Sequence, residues 1–137
     1  MSRENVELTR RYFEAWNAGD MGAVGETYDP HVVVRYADGW PEGWEPIMGR
    51  EAVMRQWGQQ REAFDADTLE PIEIIDLGDR VVTKFIWRAE GSGPDLKIEA
   101  TSVTTMRKGK TILVEFFWNH AEALKAVGLS EQTPRSG

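Results

Sequence analysis

The chain contains no cysteine, which excludes a disulfide framework and any thiolate nucleophile or metal ligand. Its only two histidines are His31 and His120. A multi-histidine metal centre is therefore not expected. No basic run occurs, and 23 acidic residues against 16 basic ones leave a net charge of −7. Nucleic acid and anionic membrane surfaces are poor partners for such a chain. No apolar run approaches the ~20 residues of a membrane span. The opening MSRENVELTRR lacks the apolar core of a secretory leader, and a cytoplasmic protein is expected.

What is abundant is aromatic surface. Six Trp, five Phe and three Tyr stand among 137 residues, enough to build a core or to line a pocket for a flat apolar ligand. The length suits a single domain with a sizeable core, expected over residues 1–129. The last residues, 130–137, read as a disordered tail.

The stretch RRYFEAWNAGD, residues 10–20, organises the reading. At 100° per residue, Val6, Leu8, Thr9, Tyr12, Phe13, Ala15 and Trp16 share one side of a helix, with Glu7, Arg10, Arg11 and Glu14 opposite. So one-sided a helix must lie on an apolar surface. Tyr12 falls inside the buried arc, where its hydroxyl needs a backbone acceptor or a ligand. Gly19 supplies a left-handed helix end. Asp20 then caps a second, short helix expected to reach about Tyr28 and to close at Asp29-Pro30.

HVVVRYAD, residues 31–38, alternates as a strand, with Val32, Val34 and Tyr36 on one face and Val33 and Arg35 on the other. The following GWPEGWEPIMG has too much Gly and Pro for a regular element. Its Trp40 and Trp44 either fold back onto the domain or cover a cavity. A third helix is expected over residues 49–64, with Val53, Trp57 and Phe64 buried. The period then changes to two. Strands are expected over residues 69–77, 80–90, 95–107 and 111–119, joined by short Gly-containing turns. A short helix over residues 121–127 follows. The implied class is α+β: three helices around one early strand, then a four-strand antiparallel meander. That gives a curved, mostly antiparallel sheet forming a cone, with the three N-terminal helices on its concave side.

Four segments in this order resemble the nuclear transport factor two-like superfamily, and within it the SnoaL-like polyketide cyclase group. They are the helix ending WNAGD, the YDPHVVV entry to the first strand, Gly49-Arg50-Glu51-Ala52, and the closing NHAEALKAVGL. The resemblance implies a cystatin-like α+β barrel. It leaves chemistry open, because such folds host isomerases, cyclases, hydrolases, dehydratases and inactive binders.

Carried over by position, the opening helix is similar to that of ketosteroid isomerases, whose corresponding Tyr donates to a dienolate oxygen; that residue is Tyr12 here. Where those isomerases place a general base stands Tyr36, a poor base at neutral pH with a reference pKa of ~10. Where they place a second oxyanion donor stands Ser102. Where many SnoaL-like sequences carry an acid, between last strand and last helix, stands Asn119, followed by His120. Asn119 can orient a carbonyl but not shuttle a proton; His120 can titrate near neutrality. Glu115, on the face of Leu113 and Phe117, is either an exposed acid or a cavity acid. Asp38 is either a turn residue or a base at the cavity mouth.

Two functions follow, with a purely structural dimer module as a third reading. The first is a cofactor-independent cyclase, isomerase or hydrolase acting on an apolar carbonyl compound. In it Tyr12 polarises the carbonyl and Glu115, His120 or Asp38 moves a proton. The second is a ligand-binding or accessory module with the catalytic acids lost. In both, Trp16, Tyr36, Trp40, Trp57, Phe85, Trp87, Ser102 and Asn119 are candidates to line the ligand site. The expected partners are a small apolar or aromatic ligand and a second copy of the chain, the latter against a sheet face bearing Val82, Ile86 and Val103.

Overall fold

The computed structural model describes residues 2–37 and 45–130. Helix α1 (Ser2–Asn17) and the short α2 (Met21–Glu26) lead into strand β1 (Tyr28–Tyr36). A two-residue β2 (Ile47–Met48) and helix α3 (Arg50–Glu62) follow. Strands β3 (Ala66–Asp76), β4 (Arg80–Glu90), β5 (Leu96–Arg107) and β6 (Lys110–Phe117) form the meander, and α4 (His120–Ala126) ends the described chain. The six strands make one sheet in the order β2-β1-β6-β5-β4-β3. All neighbours are antiparallel except β1 and β6, which run parallel. The class is the α+β arrangement expected. The segment holding Asp38, Trp40 and Trp44, and the tail after Ser130, lie outside the described residues.

The turns follow from their residues. Gly19, at φ 76°, ends α1. Lys108 and Gly109 both take positive φ, 51° and 75°. That is the pattern of a two-residue hairpin turn whose twist matches the strands it joins.

Several boundaries differ from the periodicity reading: α3 ends at Glu62, which leaves Phe64 beyond the helix and half-buried, and β3 begins already at Ala66. The second helix stops at Glu26, and Tyr28 already belongs to β1, pairing with Thr111. Pro30 does not close a helix. It sits in an irregular stretch of β1, between Tyr28 and Val33, where the ladder to β6 shifts register and no N–H is required. Pro71 marks a second such shift, in β3. The end of the Gly- and Pro-rich segment also pairs: Ile47 and Met48 lie against Val34 and Val33.

α1 is fastened to the sheet at both ends. Near its start the Asn5 side chain donates to the Gly78 carbonyl at 2.7 Å. At its end Asn17 imitates a strand edge: its amide donates to the Leu69 carbonyl and its oxygen accepts from the Leu69 N–H, both at 2.8 Å. Between these points Leu8, Phe13 and Trp16 are buried, as the amphipathic pattern requires.

The other face of the sheet is covered in part by α4. Ala123 and Leu124, both fully buried, pack with Ile75, Val82 and Val103. Asn119 caps this helix by accepting from Glu122 N–H at 3.2 Å. Val82 and Val103, expected to meet a second copy of the chain, are thus covered by the chain's own last helix.

Candidate functional site

Between α1, α3 and the concave sheet lies a cavity of about 320 Å³. Period-two alternation in the strands sets its wall. From β4 come Thr83, Phe85 and Trp87; from β5, Ile98, Ala100, Ser102, Thr104 and Met106; from β6, Thr111, Val114 and Phe116. β1 adds Tyr28 and Tyr36, α1 adds Leu8, Thr9, Tyr12, Phe13 and Trp16, and α3 adds Trp57 and Gln60. The rings contact one another edge-on: Phe85 with Phe116 at 6.1 Å between centroids, Trp57 with Phe116 at 6.0 Å, Trp16 with Trp57 at 6.3 Å. This offset geometry suits their quadrupoles.

The polar part of the wall is a linked set of donors. The Trp57 indole N–H donates to the Tyr28 hydroxyl at 2.9 Å. The Tyr12 ring meets the Tyr28 ring edge-on, at 5.9 Å between centroids, and the two hydroxyls influence each other's ionisation. An indole can only donate. The Tyr28 oxygen accepts from the indole, and the two phenols can spend at most one of their two protons on each other, so at least one O–H remains for a further acceptor.

Burial sets the ionisation of these groups. Tyr12 sits among Phe13, Trp16 and Tyr28. Desolvation, then the neighbouring Tyr28, hold its pKa well above the usual phenol value, against a smaller opposing effect of Arg61. Tyr28 is pushed up to about 12, chiefly by burial, with the neighbouring Tyr12 hydroxyl and the Trp57 N–H acting the other way. Tyr36 also rises to about 12, first by burial and then by its proximity to Tyr28. At neutral pH all three phenols are therefore protonated: they are donors, not bases.

One end of the cavity is held by a carboxylate that lies between the expected third helix and the first expected strand of the meander. Asp67 is 8% exposed. Its Oδ2 accepts from the indole N–H groups of Trp16 and Trp87, at 2.8 and 2.9 Å. Its Oδ1 meets the Arg61 guanidinium at 2.9 Å. That guanidinium lies 4.7 Å over the Trp16 ring and donates to the Trp16 carbonyl at 2.6 Å. With its lone pairs so engaged, Asp67 fixes the orientation of two cavity tryptophans.

The candidate residues divide cleanly. Tyr12, Trp16, Tyr36, Trp57, Phe85, Trp87 and Ser102 are all brought to the one cavity. Glu115, His120 and Asn119 are not among its lining. Glu115 points outward and pairs with Arg35 at 3.1 Å, its register partner on β1; residue 114 faces in, so parity turns 115 out. His120 bonds Thr101 through Nδ1 at 2.9 Å and approaches Glu73 through Nε2 at 3.3 Å, holding α4 against the outer face. Asn119 is spent on the cap of α4. Asp38 and Trp40 lie outside the described residues.

Tyr28, Asp67 and Thr83 were not singled out from sequence. Tyr28 was hidden by the expected helix. Had the strand been extended back through Pro30, its aromatic character would have marked it. Asp67 carries no local signal, since its partners lie 51 and 20 residues away. Among the described residues no three potential metal-ligating side chains cluster, and no helix is long and apolar enough to cross a membrane.

Residues 9–114 match the SnoaL-like domain family. The chain belongs to that family. No curated protein sequence matches it. Among solved structures, Bal32a from a soil-derived mobile gene cassette is similar at 24% identity, over 84% of this chain and 88% of that one, with a TM-score of 0.75. A Burkholderia pseudomallei protein of unknown function, described as NTF2-like, has 22% identity over 91% and 98% of the two chains, TM-score 0.72. TerC, co-crystallised with polyporic acid, has 19% identity over 89% and 96%, TM-score 0.72. At these identities the likeness to the solved structures speaks for the fold, not for a shared reaction.

Proposed function

We propose that this SnoaL-like chain binds a flat, largely apolar small molecule carrying an oxygen acceptor, a carbonyl above all. Tyr12 and Tyr28 present the hydrogen bond to that oxygen. The cavity volume of about 320 Å³ falls at the low end of small-molecule sites, and such sites pair an apolar wall with a few placed polar groups. The observation that carries the reading is the cluster of the Trp57 indole with the Tyr28 and Tyr12 phenols in the cavity wall, which has at least one O–H to give. Every titratable group among the described lining residues is a phenol held neutral by burial. Such groups can polarise a carbonyl, but none can take up a proton at neutral pH.

The binding module is therefore favoured over the cyclase, isomerase or hydrolase. An enzymatic reading has one candidate base left, Asp38, two residues beyond the cavity-lining Tyr36. The test is titration of aromatic ketones, with polyporic acid added to the panel, against the fluorescence of the chain's tryptophans. Three of these, Trp16, Trp57 and Trp87, line the cavity. Saturable quenching by the ketones with no product formed is the expected result. Turnover that disappears on Asp38→Asn establishes the enzymatic reading instead, and absence of any binding overturns both.

A further inference from the structure

The phenols are not the cavity's only polar feature. Thr83, in the middle of β4, is 1% exposed and lines the cavity. Among the described residues its Oγ1 has no hydrogen-bond partner. Its cross-strand partner on β5 is Ser102, also buried and also lining the cavity. Thr104 and Thr9 stand in the same wall, but their hydroxyls already donate to the carbonyls of Val81 and Asn5, at 3.2 and 2.9 Å. Among the described residues Thr83 alone is both orphaned and enclosed.

A buried hydroxyl without a partner is disfavoured in a fold. Valine would fill the same space, suits a central strand better, and occupies both strand positions before it, Val81 and Val82. Oγ1 contributes no bond to this fold, so the reason for a hydroxyl here is sought in what the cavity receives. Along β4, Thr83 is one inward step, ~7 Å, from Phe85. Phe85 in turn packs on Phe13 and Phe116, so an aromatic floor adjoins the hydroxyl.

We infer that Thr83, with Ser102 beside it, forms a second polar subsite of the cavity, and that the ligand class is an aromatic ketone bearing a hydroxyl group apart from its carbonyl. The inference rests on the binding function proposed above. The phenols take the carbonyl, the rings sandwich the skeleton, and Thr83 Oγ1 exchanges a hydrogen bond with the ligand hydroxyl. A threonine hydroxyl both donates and accepts, so it discriminates presence of a polar group rather than its sense.

The experiment uses the full chain, its Thr83→Val and Thr83→Ser variants, and fluorenone with its four singly hydroxylated isomers, read by tryptophan quenching. At least one hydroxy isomer is expected to bind the unmodified chain about tenfold more tightly than fluorenone itself, the order of one hydrogen bond gained in a closed site. Thr83→Val should abolish that gain, so that no isomer binds this variant more tightly than fluorenone binds the same variant, and Thr83→Ser should keep it. Thr83→Val should also melt at or above the temperature of the unmodified chain. The subsite is overturned if no isomer gains, if the gain survives Thr83→Val, or if that variant melts lower, which would assign the hydroxyl to the fold. If fluorenone and all four isomers fail to bind the unmodified chain, the binding function itself fails, a result distinct from equal binding of all five.

Discussion

Asp67→Ala would strip the acceptor from two buried indoles and the counter-charge from Arg61 at once. The structure sets the magnitude. Trp16 and Trp87 share Oδ2, and each orphaned N–H costs about 1–3 kcal/mol. Removing one partner of a buried ion pair adds a penalty of the same order. Here the Arg61 side chain, 19% exposed, recovers some water, and the contributions overlap because one carboxylate makes all the contacts. The expected loss is about 3–6 kcal/mol. For a chain of 137 residues with a typical total stability of roughly 7–20 kcal/mol, that is a large fraction. It corresponds to a drop in melting temperature of about 10–20 °C. Urea unfolding with tryptophan emission as the signal reads both the midpoint and the indole environment. A loss below about 1 kcal/mol would refute the reasoning, since a surface substitution costs that little.

The three tyrosines of the chain are all cavity residues, so an ultraviolet tyrosinate titration reports the cavity alone. No phenolate should form near the ordinary value of ~10; Tyr28 and Tyr36 should ionise only at about 12. The folded pKa is raised, so this stabilisation is complete below the unfolded value and is lost as pH climbs from there through the folded one. Tyr28 alone should contribute about 3 kcal/mol across that window. A phenolate signal at ~10 in the folded chain would show that the cavity is wet. Glu115→Gln should leave ketone affinity unchanged and shift stability by less than about 0.5 kcal/mol, because it removes only an exposed pair. A tenfold affinity loss there would put Glu115 in the site. Asn17→Ala should cost about 1–3 kcal/mol by opening both bonds to Leu69, checked by the urea midpoint.

Much of this was legible in the sequence because it is periodic. The helical stripe of Leu8, Tyr12, Phe13 and Trp16 and the alternation of Thr83, Phe85 and Trp87 fix which side chains meet, and both faces packed as the patterns require. What failed was local punctuation. Asp29-Pro30 reads as a helix stop, yet Pro30 is tolerated within a strand where the ladder is irregular. Glu115 stayed open for another reason: periodicity says that it shares a face with Leu113 and Phe117, but not which face is inside. Phe117 belongs to the cluster under α4, so an apolar neighbour was no sign of the cavity. Asp67 and Thr83 depend on tertiary partners, or on the lack of one, and no window of sequence contains that information.

The most direct measurement is the carbonyl stretch of bound fluorenone in the infrared, for the unmodified chain and for Tyr12→Phe. A frequency below that in an apolar solvent, moving back toward the solvent value when the Tyr12 hydroxyl is removed, is the predicted result, because a phenol donated to the carbonyl weakens its double bond. A bound carbonyl that vibrates as it does in hexane, or one unmoved by Tyr12→Phe, would contradict the placement of that oxygen at the phenols.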